Sequence, residues 1–506
     1  MLTGRPPVST PKMPPTRDSN SCDIKPCNAV DMRGQNESEG PADIDRGLRW
    51  LKRDARRAAR NEQHCRSRAD RRLISLVRHV GATSPLFADL YQGIAMDSAG
   101  LHDLPVTGKA MLMDQFDRWA SDRRITTRAV DEFANDDANV GRRFLGNYLY
   151  SESSGTSGIR GCFVTEDSAL EVLRALGSRL SAFGPRAAAQ FTRKRGRTAA
   201  ILKLEGHHMG AAFYNSRDNA KPDRRVRFFS VLESVPSLSA QLTAMDPASV
   251  SSYSSVLVLL AQEQLEGNLR IDPAVLLPFS ETMTPTALQT IRHAWPRAVV
   301  IDRYVANECM FIATRCDLGW QHLNADWVIL EPIEMTGEPT PRGHPSHSVL
   351  LTNLFRRVQP IIRYDLGDSV LMRPDRCECG NPLPAFDVLG RSGEIVHFDV
   401  AGRRHGISPT VVSVVLDAVD GFAQSQIVRD GDDHLTVRFS IRPGTDRAAS
   451  GREARHRLDQ LLADSGLSHV VVEISDELPQ RSQGGKFVRV VDTRRTESRA
   501  VSQQCE

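Results

Sequence analysis

Ser151-Glu-Ser-Ser-Gly-Thr-Ser-Gly-Ile-Arg-Gly161 is built of small, hydroxyl-bearing residues with almost no bulk. At its centre, Ser153, Ser154, Gly155, Thr156, Ser157 and Gly158 let backbone N–H groups and side-chain hydroxyls converge on one anion. Apolar Phe144, Leu145, Tyr148, Leu149 and Tyr150 precede it, and an amphipathic run over 168–180 follows. The stretch therefore reads as an ordered phosphate-holding loop between packed segments. A Ser/Gly-rich linker has the same composition. The segments further along the chain decide between the two.

Composition sets the outer bounds. A chain of 506 residues exceeds one ordinary core, so two or more domains are expected. Apolar content of 40% and charged content of 25% are those of a globular protein. A net charge of +3, from 65 basic and 62 acidic residues, points to no nucleic-acid partner. The longest aliphatic run, 256–261, is far short of the roughly 20 residues that span a bilayer, so no membrane partner is expected. The first 15 residues are rich in Pro and Thr without an apolar centre, unlike a secretory signal, and a cytoplasmic enzyme is the expectation. Nine cysteines at uneven spacing do not form a disulfide framework, and Cys22, Cys27, Cys65 and Cys505 read as free thiols.

Along the chain, 1–42 is polar and reads as a disordered extension. Residues 43–80 are Arg-rich, with Leu48, Trp50, Leu51, Leu73, Ile74, Leu76 and Val77 at helical spacing. That predicts one or two amphipathic helices whose arginines form a solvated face. From 81 to 390, apolar strands at 199–204, 227–231, 256–260 and 298–301 alternate with helical stretches such as 284–294. The alternation predicts an α/β domain with a partly parallel sheet, spanning 43–390 with a helical lead-in at 43–120. Segments 214–225 and 334–348 read as surface loops. Beyond 390 come a strand (394–400), a helix (410–419), strands at 424–428 and 435–441, a helix (452–463) and a strand (470–474). That order predicts a small α+β domain over 391–492, followed by a polar tail at 493–506.

Four further segments accompany the opening loop. They are Tyr304-Val-Ala-Asn-Glu308, Arg363-Tyr-Asp-Leu-Gly-Asp368, Gly390-Arg391-Ser-Gly-Glu394 and Pro479-Gln-Arg-Ser-Gln-Gly-Gly-Lys486. Singly, Asp368 could be a turn residue, Glu308 a surface carboxylate and Lys486 a solvated lysine. Jointly, five segments in this order and spacing resemble the adenylate-forming superfamily of acyl-CoA synthetases, peptide-synthetase adenylation domains and luciferases. Leu104-Pro-Val-Thr-Gly-Lys109 and Thr352-Asn-Leu-Phe-Arg-Arg-Val-Gln-Pro-Ile-Ile-Arg-Tyr364 resemble its phenylacetate-CoA ligase-like branch. The resemblance covers about 80 to 492 and implies a large α/β domain with a small mobile α+β lid.

The resemblance implies a role at each matching position. The Ser153–Gly158 loop grips the β- and γ-phosphates of ATP. Glu308 holds Mg²⁺, a hard cation that prefers carboxylate oxygen. Tyr304 packs on adenine, with Ser280 and Glu281 of Phe279-Ser-Glu-Thr282 on the adenine side. Asp368 accepts from the ribose hydroxyls. Arg391 pairs with ribose or phosphate, and Lys486 bridges the attacking carboxylate and the α-phosphate. Three departures stand out. Ile159-Arg160-Gly161 replaces the usual Pro-Lys-Gly ending, which leaves charge compensation to Mg²⁺, Lys486 and Arg160. Asn307 stands for a usual Thr. Ser392-Gly393-Glu394 stands where two aspartates are usual at the hinge.

Cys316-x5-His322 and Cys377-x-Cys379-Gly380 supply three thiols and an imidazole, a set suited to structural tetrahedral zinc. The phenylacetate-CoA ligase-like proteins have a similar pattern. Reduced buried cysteines with a hydrogen-bonded histidine are the alternative. His207 and His208 after one strand, Phe213, and Tyr253 before the next apolar run would flank the acyl pocket by analogy. Phe213 and Tyr253 favour an aryl or medium apolar acid.

The implied reaction joins a carboxylic acid and MgATP to give acyl-AMP and pyrophosphate, with transfer to coenzyme A as co-substrate. Two alternatives stand beside it. One is an adenylating enzyme of specialised biosynthesis with an amine or carrier-protein acceptor. The other is a non-catalytic AMP- or zinc-binding relative. A homodimer is compatible with all three.

Overall fold

The computed structural model describes residues 48–493 except 59, 96–98, 154–158, 178, 180–183, 205, 216–224, 282, 284, 392–395, 401–402, 408–411, 413–414, 417, 432, 465–466 and 481–486. The expected extension at 1–42, and with it Cys22 and Cys27, lies outside those residues, as do Cys505 and most of the 214–225 loop.

The Arg-rich stretch forms α1 (Leu48–Ala58) and α2 (Glu62–Thr83). Asn61 caps α2, accepting from the amide of His64 at 2.9 Å. Arg53, Arg56, Arg57, Arg66, Arg71 and Arg78 are exposed, as the expected solvated face requires, and Arg72 is the exception. Arg72 is 9% exposed, bonds the Asp54 carboxylate at 2.9 Å and the Asp326 carbonyl at 2.7 Å, and lies 3.3 Å from the centroid of the Trp327 ring. Arg179 reaches the same Asp326 carboxylate at 2.7 Å. Helical spacing of the apolar residues identifies the inner face. It cannot show that some arginines find buried carboxylates 254 residues away.

Next comes a three-stranded antiparallel sheet of β1 (Arg143–Phe144), β2 (Tyr148–Glu152) and β3 (Cys162–Glu166). Its β2–β3 hairpin carries the Ser/Gly loop at its tip, with Glu152 opposite Cys162. Five parallel strands follow: β4 (Thr198–Leu202), β5 (Val226–Ser230), β6 (Ser249–Tyr253), β7 (Val275–Phe279) and β8 (Val299–Val300). Their spatial order is β5-β4-β6-β7-β8, and helices Val235–Met245, Ser254–Glu266 and Pro285–Ala294 connect successive strands. Chain direction across the sheet reverses between β4 and β6. In an open parallel sheet the crevice beyond the carboxyl ends of the strands at such a switch point is where ligands bind.

One expected strand is corrected here. Residues 256–260 lie inside the helix Ser254–Glu266, and the strand of that region is the preceding Ser-Val-Ser-Ser-Tyr of β6. A short aliphatic run fits a buried helix as well as a strand. The β6 hydroxyls are tolerated in the interior because they bond neighbouring strands: Ser252 Oγ donates to the Ile201 carbonyl at 3.1 Å.

A second five-stranded sheet has the order β15-β16-β11-β10-β9, from β9 (Arg303–Tyr304), β10 (Ala313–Arg315), β11 (Gln321–Leu323), β15 (Asp368–Met372) and β16 (Ala385–Arg391). Beside it lie β12 (Val328–Ile333), β13 (Ser348–Asn353) and β14 (Tyr364–Asp365). The last part holds a hairpin, β17 (Val396–Val400) with β18 (Arg403–Ile407), and a mixed sheet of β19 (Phe422–Arg429), β20 (His434–Ile441), β21 (Val471–Ile474) and β22 (Val490–Asp492). With the helix Arg447–Asp464 these strands enclose a separate apolar cluster that includes Phe398, Phe439, Leu458 and Val472. Strands β18 and β22 add to the expected order, and half of 410–419 lies outside the described residues. Of the described helices, none is long and apolar enough to cross a membrane.

Candidate active site

The hairpin loop is closed at its neck by two reciprocal bonds: the Ser153 amide donates to the Gly161 carbonyl, and the Gly161 amide to Ser153 Oγ, both at 2.8 Å. A Cβ on Gly161 would come within 2.8 Å of the Phe163 ring and 2.9 Å of both Lys109 Cε and Ser153 Oγ, so only glycine fits. Ser154, Gly155, Thr156, Ser157 and Gly158 lie outside the described residues. Arg160 pairs with the Glu152 carboxylate, and the Tyr150 hydroxyl donates to the same carboxylate at 2.9 Å. Its charge is thus already matched inside the hairpin.

Glu152 is also where separate segments meet. Its amide donates to the His207 carbonyl at 2.7 Å, and an isolated parallel bridge joins it to His208. The Asn307 side-chain amide donates to the Glu152 carbonyl at 3.3 Å. The β2–β3 hairpin, the turn after β4 and the Tyr304–Glu308 segment therefore converge at the switch point of the parallel sheet.

From there the contacts run into the second sheet. The Tyr304 hydroxyl donates to the Asp368 carboxylate, and its ring stands edge-on to Phe386 at 5.9 Å. Asp368 opens β15 and lies opposite Arg391 of β16 in register. Glu308 is 9% exposed and accepts from the Tyr364 hydroxyl at 2.8 Å. The backbone of Thr107 brackets the Arg363–Asp365 turn: its amide donates to the Arg363 carbonyl at 3.0 Å, and its carbonyl accepts from the Asp365 amide at 2.9 Å. That bracket holds the Leu104–Lys109 segment beside the Arg363–Asp368 segment.

Ser280 and Glu281 follow β7 at the carboxyl edge of the parallel sheet. Ser280 has φ +63°, a left-handed backbone that turns the chain sharply there. The Glu281 carboxylate accepts from the Ser255 amide at 2.8 Å, the Ser255 hydroxyl at 3.2 Å and the Phe487 amide at 3.4 Å. Lys486 lies outside the described residues, but both ends of its segment are held. Buried Gln426 donates to the Gln480 carbonyl at 2.9 Å and the Val488 carbonyl at 2.8 Å, and accepts from the Gln480 amide at 3.1 Å. Glu152 and Tyr364 stood within the quoted stretches, but Gln426 had no sequence signal at all.

The four residues expected to flank an acyl pocket differ in burial. His207 is 1% exposed, its ring 5.1 Å from Tyr150 and 5.6 Å from Phe133, and burial lowers its pKa so that it stands neutral. Phe213 is buried in the helix Met209–Asn215. His208 starts at the bridge to Glu152, and half-buried Tyr253 ends β6 with its ring 5.0 Å from Phe279.

Cys316, His322, Cys377 and Cys379 present ligand atoms that all lie within 4.8 Å of one another. Cys316 Sγ and Cys377 Sγ are 3.9 Å apart, and Cys379 Sγ is 3.2 Å from His322 Nε2. Zn–S bonds of about 2.3 Å at tetrahedral angles imply a sulfur–sulfur edge of ~3.8 Å, which this cluster matches. His322 Nδ1 lies 3.0 Å from the Leu383 carbonyl, so Nδ1–H donates there and the Nε2 lone pair faces the sulfurs. Burial pushes the His322 pKa down, favouring the neutral form that a metal takes. The residues fit zinc.

No protein-family model matches the chain. It is 27% identical over 217 residues to a phenylacetate-coenzyme A ligase of Thermus thermophilus, covering 39% of this chain and 46% of that one. It is 22% identical over 259 residues to Protein CapK of Staphylococcus aureus, covering 49% and 53%. The chain thus spans about half the length of these curated relatives. Two solved structures of 2-hydroxyisobutyryl-CoA ligase in the postadenylation state, in complex with R3-HIB-AMP and with 2-HIB-AMP, superpose with TM-scores of 0.60 and 0.59. Each is 18% identical, and the match covers 92% of this chain and 93% of that one. The fold is that of the adenylate-forming enzymes, and over part of its length the chain is similar in sequence to a phenylacetate-coenzyme A ligase.

Proposed function

We propose that the chain activates a carboxylic acid with ATP, releasing pyrophosphate, and passes the acyl group from acyl-AMP to coenzyme A. The observation that carries this reading is the convergence at Glu152. The phosphate hairpin, the His207–His208 turn and the Tyr304–Glu308 segment meet at the switch point of the parallel sheet, and Tyr304 leads on to Asp368.

In this reading the hairpin amides and hydroxyls receive the outer phosphates, and Asp368 takes the ribose hydroxyls. Glu308, held by Tyr364 through one carboxylate oxygen, would hold Mg²⁺. The metal supplies charge neutralisation on the triphosphate when bound. Asn307 donates toward the α-phosphate side, and Lys486 offsets the charge that builds as the acid carboxylate approaches phosphorus. Neutral His207 and the apolar walls at Phe213 and Tyr253 suit an aryl or medium apolar acid.

The segment 391–492 would act as the small lid of a large domain at 43–390, turning about 391–393 between the two half-reactions. The four-ligand cluster would hold zinc with every position filled, which makes it structural rather than catalytic. The placement is cytoplasmic. A transfer to an amine or a carrier protein is the second reading, and the altered hinge at Ser392-Gly393-Glu394 keeps it in view.

The acceptor is tested by supplying coenzyme A, then amines, to protein incubated with ATP and an activated acid. Thioester formation supports the ligase; hydroxylamine-trapped acyl-AMP that coenzyme A does not consume, while an amine does, overturns it in favour of the second reading.

A further inference from the structure

We propose that Arg356 is a positioning residue that holds Asn307 and Glu308 in register with the β2–β3 hairpin, an inference that rests on the adenylating function above. The Tyr304–Glu308 segment meets the hairpin at both of its strands. The Asn307 side-chain amide donates directly to the Glu152 carbonyl of β2 at 3.3 Å. The Asn307 main-chain carbonyl accepts from Arg356 Nη1 at 3.4 Å, and Arg356 Nη2 donates to the Val164 carbonyl of β3 at 2.8 Å. Asn307 is therefore tied to one strand by its own side chain and to the other through a guanidinium. Glu308 is steadied from the same stretch of chain, since the Asn353 side-chain amide donates to its carbonyl at 3.0 Å.

Packing alone does not call for an arginine here. Arg356 is 2% exposed, yet its acceptors are two main-chain carbonyls and, at 3.4 Å, the Gln359 side-chain oxygen, all uncharged. Burying a cation against neutral acceptors is unfavourable. What a guanidinium supplies is a rigid planar fork that reaches two elements at once. The fork stands over the Phe163 ring, with Cζ 5.5 Å from its centroid. Its neighbours fasten it to β3. Gln359 Oε1 accepts from the Val164 amide at 2.6 Å, and Glu166 Oε1 accepts from the Arg357 amide at 2.6 Å. The 356–359 segment is thus fixed to one arm of the hairpin and extends a single donor to Asn307. A metal at Glu308 and phosphates at the hairpin would belong to one triphosphate, and Arg356 sets the spacing between those two holds.

The test titrates the full chain calorimetrically with MgATP and with AMP, with no acid present. AMP lacks the outer phosphates, so only MgATP senses that spacing. Lysine at 356 keeps the charge on a compact ammonium that lacks the fork's reach to both carbonyls. Arg356→Lys and Arg356→Met should each weaken MgATP about tenfold and leave AMP within about twofold, the cost of a lost supporting contact behind a metal ligand. Full MgATP affinity in Arg356→Lys would show that charge suffices and overturns the bridge. Equal loss of both nucleotides overturns it too, as the mark of a general structural defect. With an acid that supports ATP–pyrophosphate exchange, Arg356→Lys should raise the KM for ATP and leave the KM for the acid unchanged; a rise in both contradicts the role.

A wild type that binds neither nucleotide defeats the adenylating function, whereas variants that bind MgATP as the wild type does defeat only the proposal. In either case the ligand-free protein reports on the bridge through the Cys309 amide, which donates to the Ala306 carbonyl at 3.0 Å across the turn that holds Asn307. Its hydrogen exchange should be about tenfold faster in Arg356→Lys, and an unchanged rate overturns the bridge.

Discussion

Asp368 joins two segments of the candidate site: it accepts from Tyr304, opens β15 and faces Arg391 in register. A buried carboxylate that accepts from uncharged hydroxyls contributes more than a neutral partner could. Replacing it with Asn should raise the KM for ATP by about 10- to 100-fold, the worth of a charge-assisted bond, with a smaller change in kcat. Steady-state kinetics at saturating acid would show this, and an unchanged KM would remove Asp368 from the nucleotide site. Strain marks the same region. Ser280 and Arg363 hold φ values of +63° and +45°, each costing a non-glycine residue of order 1–2 kcal/mol. Such residues persist where surrounding contacts over-determine them. Arg363 is held by the His102 and Leu104 carbonyls at 2.8 and 2.5 Å. Tyr304, Glu308 and Asp368 stand in segments that the sequence singles out, and the fold brings Tyr304 to Asp368 and Tyr364 to Glu308. Gln426 was not legible, since nothing marks a glutamine as binding partners 54 and 62 residues away.

At the level of elements, the Cys377–Cys379 turn does more than bring two thiols to the four-residue cluster. Leu383, just after the Cys377–Cys379 turn, packs in one apolar cluster with Ala58 of α1 and Cys65 of α2. The turn therefore anchors the N-terminal helices to the second sheet. Dialysed protein should carry one zinc per chain by elemental analysis, with chelation lowering the melting midpoint and loosening proteolytic protection of α1 and α2. A metal-free protein with an unchanged midpoint would show that the cysteines are simply packed thiols. The spacing of Cys316, His322, Cys377 and Cys379 singled these residues out, and the fold gathers all four. The helix Ser254–Glu266 was misread because its aliphatic run has no period that separates helix from strand, while its strand neighbour β6 is mostly serine. On the largely exposed arginine face of α2, Arg72 is the exception, because its burial depends on Asp54 and Asp326, which only the tertiary fold brings near.

Over the whole molecule, separate apolar clusters and the parallel sheet's switch point set where chemistry can occur. The alternation of strands and helices made this α/β plan legible, whereas β18 and β22 were not anticipated. Burial also sets a global pH response. His207 has its folded pKa lowered from 6.5, so above that value it is neutral in both states and its environment costs nothing. As pH falls below about 6.5 the unfolded chain takes up a proton that the folded chain resists, and stability is lost. The melting midpoint should therefore fall from pH 7 to 5, and less steeply in His207→Asn; parallel curves would mean that His207 charges freely in the folded protein. The account's central claim is adenylation itself, and carboxylate-dependent ATP–pyrophosphate exchange across a panel of aryl and medium-chain acids measures it. The account predicts exchange with at least one acid class, abolished in Lys486→Ala while ATP binding persists; AMP binding without exchange on any acid would contradict it.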